Sequence, residues 1–97
     1  MKKVNVAKKP NTYIHHKDGF TVVRLYRTNI FGISKNQIFI NFGGFETPTT
    51  TNRINQSLEH FAISGKVFTR NSKKYFFNGN INIMLNTSEK NFITRGI

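Results

Sequence analysis

Apolar and polar residues alternate along most of the chain, and a helical period replaces the alternation once. TYIHH, residues 12–16, reads as a short strand. Lys17-Asp18-Gly19 follows as a turn, because Asp-Gly supplies the positive φ that a tight hairpin needs. Residues 20–30, FTVVRLYRTNI, are rich in β-branched and aromatic types, lack a breaker, and predict one long strand. On it Arg24 and Tyr26 share one face, and Val23, Leu25 and Arg27 share the other. A turn over Gly32–Asn36 leads into QIFINF, residues 37–42, with Ile38, Ile40 and Phe42 on one face. These two strands predict an antiparallel hairpin.

Gly43-Gly44 ends that pattern, and Ile54, Leu58 and Phe61 then fall at i, i+4 and i+7. The stripe predicts a helix from about Thr50 to Ala62. Thr47, Thr49 and Thr50 are its N-cap candidates, Pro48 suits its first turn, and Ser64-Gly65 is its stop. With a single apolar stripe the helix must pack on a sheet face. KVFTR (66–70) and KKYFF (73–77) form a second hairpin around Asn71-Ser72, and INIML (81–85) is a further strand candidate after the Gly79-Asn80 turn. The order is β-β-β-α-β-β, with room for one more strand. It predicts an α+β domain: a small antiparallel sheet with one helix packed on one face. Residues 1–11 carry Lys2, Lys3, Lys8 and Lys9 without a core-forming period. They are expected to be a flexible basic arm that adds charge and not stability, so that deleting residues 1–9 leaves the melting temperature almost unchanged. The domain is then 12–86, and 87–97 is a C-terminal tail.

The 97 residues suit one domain, and ten phenylalanines supply enough aromatic area for a small core. Fifteen Lys and Arg stand against four Asp and Glu, a formal charge of +11. Asn, Ile, Lys and Phe are all encoded by AT-rich codons, so genome composition inflates the lysines. It does not readily explain the scarcity of acids, which points to a polyanionic partner. There is no cysteine, hence no disulfide and no thiolate ligand or nucleophile. No apolar run approaches the ~18 residues of a membrane span, and no apolar segment follows the basic start as in a secretory signal. Adjacent histidines at 15 and 16 face opposite sides of a strand, Glu59 and His60 diverge on the helix, and no P-loop is present. The expectation is a non-enzymatic protein without metal or cofactor.

Two constellations carry the binding chemistry. In GGFETPTTTNRIN, residues 43–55, Thr49, Thr50 and Arg53 surround a helix N-terminus, whose free N–H groups favour an anion. They are read as a phosphate seat, beside the plainer reading of ordinary caps and a solvated arginine. In RLYR (24–27) and KVFTRNSKKYFF (66–77), cations interleave with aromatics. Arg24, Arg27, Lys66, Arg70, Lys73 and Lys74, together with Lys8 and Lys9 of the arm, are read as phosphate contacts. The aromatics Tyr26, Phe68, Tyr75 and Phe77 are either core residues or a stacking platform.

The run Gly43, Gly44, Phe45, Thr47, Thr49, Thr50, Arg53, Ile54, Asn55, with the strands on either side of it, resembles a group of small basic phage-type proteins. The resemblance spans roughly residues 13–77. It implies a viral context and no particular mechanism. The expected function is nucleic-acid binding, DNA before RNA, mainly through phosphates. The alternative is a protein-interaction module that modulates a host enzyme or defence complex, or a small virion component. Either places the protein in the host cytoplasm or the virion, away from membranes.

Overall fold

Most strands form within the alternating segments, and the turns between them fix the topology. Asp18 and Gly19 take φ of 53° and 82°, folding β1 (Thr12–Lys17) back onto β2 (Phe20–Leu25). The long strand expected over 20–30 is in fact two. Tyr26 sits at φ 54° and donates its N–H to the Asn11 carbonyl at 2.8 Å, so the chain reverses into β3 (Thr28–Ile33). Nothing in the local sequence breaks the strand; the tertiary hydrogen bond to Asn11 holds a bulky residue in a region it seldom adopts. After Ser34–Asn36 the chain returns as β4 (Gln37–Ile40). The computed structural model describes residues 4–44 and 47–95.

Helix α1 runs from Pro48 to His60, two residues ahead of expectation at each end. Thr47 is the N-cap, its hydroxyl accepting from the Thr50 N–H at 3.3 Å. The helix stops before Ser64-Gly65. Ala62 turns left-handed at φ 56°, and the N–H groups of Ala62 and Ile63 return to the carbonyls of Glu59 and Leu58 at 3.1 and 2.8 Å. This is a Schellman-type end built on alanine.

The remaining strands are β5 (Lys66–Arg70), β6 (Lys73–Phe77), β7 (Asn82–Met84) and β8 (Asn91–Thr94). Asn71 and Ser72 both take positive φ, the mirror-image turn that suits a two-residue hairpin. The α+β class is as expected, but the one sheet resolves into two: β1-β2-β3-β4-β8 and β5-β6-β7, all pairs antiparallel. A side chain takes up the free edge of β5. On α1, the Asn55 amide accepts from the Val67 N–H at 2.7 Å and donates to the Val67 carbonyl at 2.9 Å. It occupies the β5 edge as a neighbouring strand would.

One core joins both sheets and the helix. Val23, Phe31, Ile38 and Ile40 of the larger sheet meet Ile54 and Leu58 of α1 and Val67 and Phe76 of the smaller sheet. Phe61 is half-buried and stacks on Phe31 at 5.8 Å between ring centres. The other face of the larger sheet carries a smaller cluster, in which Phe20, Phe39 and Phe92 rings lie 5.4–6.2 Å apart. Phe39 folds over its cross-strand partner Gly32; a Cβ there would overlap the Phe39 ring.

Two boundaries need correction. Within the expected arm, Val6–Lys8 form a short 3-10 turn capped by Asn5, and Val6 is 0% exposed in the core. Its N–H donates to Nδ1 of His60 at 3.1 Å. A lone valine carries no period, so its burial has no signature in the sequence. Lys2 and Lys3 lie outside the described residues. The expected tail contains β8, which pairs with β4. Asn91 fastens it: its amide donates to the carbonyls of Ile40, Asn86 and Glu89 at 2.8–3.1 Å and accepts from the Asn86 N–H at 2.8 Å.

Candidate nucleic-acid interface

The turn at Tyr26 and the start of α1 enclose a groove of about 850 Å³. Its floor is apolar: Leu25, Ile30 and Phe42. Its rim carries Tyr13, Arg24, Tyr26 and Arg27 on one side and Thr47, Thr49 and Thr50 on the other. Tyr13 and Arg24 are cross-strand partners, and the Arg24 guanidinium lies over the Tyr13 ring at 4.9 Å. That contact holds a planar cation beside an exposed aromatic. Tyr26 is 62% exposed, displayed by its left-handed turn. Gly43, at φ 61°, lets the chain leave β4 against Thr28, whose methyl would stand 2.7 Å from a Cβ at that position.

The predicted phosphate contacts divide among several places. Arg24, Arg27, Thr49 and Thr50 meet at this groove. Thr50 is nevertheless buried, its hydroxyl 3.1 Å from that of the N-cap Thr47, so it braces the cap, while Thr49 stays exposed. Arg53 does not join them. Its Nη1 donates to Oε1 of Gln56 at 2.7 Å along the helix, and its Nε is buried without a partner. The single-point seat of Thr49, Thr50 and Arg53 is therefore not assembled, because a residue at Arg53 points along the helix flank and not over its N-terminus. Phe45 and Glu46 of the same motif lie outside the described residues.

Lys66, Arg70 and Lys73 emerge together on the outer face of the three-stranded sheet. Lys74 does not. It shares the inward parity of Phe76 and is 7% exposed, with Nζ donating to the hydroxyls of Thr69 and Thr51 at 2.7 and 3.2 Å. A buried ammonium with those partners is structural. Strand parity with Phe76 was the available signal. Lys8 and Lys9 sit on the anchored 3-10 segment, Lys8 exposed and Lys9 half-buried. Tyr13, which the residue types alone did not single out, is located only by its register opposite Arg24.

Among the described residues, no helix is long and apolar enough to cross a membrane. The family model described as Kyanoviridae Gp96 protein matches residues 1–95 of the chain. No curated protein and no solved structure matches it.

Proposed function

We propose, for a chain that belongs to the Kyanoviridae Gp96 protein family of phages, that the protein binds nucleic acid, DNA before RNA, chiefly through phosphates. The observation that carries this reading is the groove: two arginines and the exposed Thr49 hydroxyl line one concavity whose rim also holds two half-exposed to exposed tyrosines. Guanidinium forks suit phosphate oxygens bidentately, and hydroxyls complete the oxygen's hydrogen bonds. The charge of +11 adds a long-range attraction to any polyanion. The host cytoplasm or the virion is where such a protein would act.

Fluorescence anisotropy with a labelled oligonucleotide at stepped salt tests it. Affinity is expected to fall log-linearly with salt, and replacing Arg24 and Arg27 together by Gln is expected to lower both the affinity and the salt slope, the slope by about 1.4–1.8. Absence of binding at physiological salt would refute the reading. In that case the interaction-module alternative, favoured by the exposed Ile81 and Met84 beside β7, becomes the better account.

A further inference from the structure

The three-stranded sheet buries one face and leaves the other to solvent. Val67, Lys74, Phe76 and Ile83 point inward, while β5, β6 and β7 present Lys66, Phe68, Arg70, Lys73, Tyr75, Phe77 and Met84 outward. Register arranges the outer residues in rows. Tyr75 is the cross-strand partner of both Phe68 and Met84, and this row is flanked by Lys66 opposite Phe77 on one side and Arg70 opposite Lys73 on the other. The Phe68 and Tyr75 rings are stacked, 5.6 Å between centres with 21° between planes. A depression of about 220 Å³ opens at Arg70, Asn71, Tyr75 and Asn82.

Two features of this face ask for a ligand of defined chemistry. Arg70 and Lys73 are like charges placed directly opposite, an arrangement that destabilises a hairpin until an anion lies between them. No acid occurs in any of the three strands, so the face has no internal neutralisation. Between the cations lies an aromatic and thioether surface, half-buried at Phe68 and Tyr75 and exposed at Phe77 and Met84. A duplex offers phosphates but keeps its bases stacked inside. A simple polyanion offers charge and nothing for the rings. A single strand offers both phosphates and unpaired base faces.

We propose that single-stranded nucleic acid lies across the outer face of β5-β6-β7, with bases stacking on Tyr75 and Phe68 and phosphates meeting Lys66, Arg70 and Lys73. This rests on the nucleic-acid reading above and adds to it the strandedness of the ligand and the surface that reads it.

The chain has no tryptophan, so a Tyr75→Trp variant carries one indole at the centre of this face. It would be titrated with oligothymidylate, with a duplex of the same length, and with inorganic polyphosphate. The expected result is quenching of the indole by oligothymidylate alone, together with binding of the single strand about tenfold tighter than the duplex. Tyr75→Ala is expected to weaken oligothymidylate binding about tenfold with an unchanged salt slope, and to leave polyphosphate binding as it was. Tyr75→Phe, which keeps the ring, should bind as the parent does, and thermal unfolding of each variant separates lost stacking from lost folding. Equal affinity for single strand and duplex, unaffected by Tyr75→Ala in a folded protein, would overturn the inference while leaving nucleic-acid binding standing. Failure of every nucleic acid to bind would remove both.

Discussion

Leu58 and Lys74 show what a single position can and cannot declare. Leu58 follows Ile54 by four residues, and helical geometry puts both on one side; both are fully buried. Leu58→Ala is expected to cost about 2–5 kcal/mol, measured by urea unfolding, because a well-packed site collapses only partly around the missing methyls. Lys74 was legible in principle. It stands two residues before Phe76, so its side chain enters the same layer, yet lysine is so rarely buried that residue type outweighs parity. The hydroxyls that make its burial tolerable, Thr69 and Thr51, come from a neighbouring strand and from the helix. Arg53 reverses the case. Its type suits a phosphate, and a helix beginning at Thr50 would put it in the first turn; α1 begins at Pro48, so Arg53 stands in the second turn, where Gln56, three residues on, holds its guanidinium.

Elements were readable where a period repeated. β5 and β6 occupy the expected residues, and α1 is displaced by two. The errors fall at element ends and at segments held by single contacts. Tyr26 breaks a strand without glycine, proline or asparagine in the turn, since the determining partner is the Asn11 carbonyl. The segment ahead of Pro10 joins the fold chiefly through Val6 and its backbone hydrogen bond to His60, too little to form a pattern. Its energetic weight is larger than its pattern. Deleting residues 1–9 is expected to remove about 2 kcal/mol or more, from a fully buried Val6 and the lost hydrogen bond, and to lower Tm by ~8–16 °C in a thermal scan. An unchanged Tm would mean that the Val6 contact contributes nothing and that the original boundary at Thr12 was right.

At the scale of the molecule, the α+β class followed from one helical stripe among alternating strands, but the division into two sheets did not. At that division stands Asn55, a polar residue off the apolar stripe, whose amide satisfies the β5 edge twelve residues away in sequence. The shared core nevertheless makes the two sheets one cooperative unit. Unfolding in urea followed by far-ultraviolet circular dichroism and by tyrosine fluorescence is expected to give coincident transitions; separated midpoints would show the three-stranded sheet opening by itself. The pairing of β8 with β4 has a further consequence, for synthesis. A ribosome delivers Ile40 fifty-one residues before Asn91, the side chain that fastens to its carbonyl. Throughout that interval the β4 edge away from β3 has no partner of its own. Such an open edge attracts other nascent chains. A translational pause placed between Phe42 and Asn91 is therefore expected to raise the aggregated fraction of the product, measured by sedimentation after cell-free synthesis.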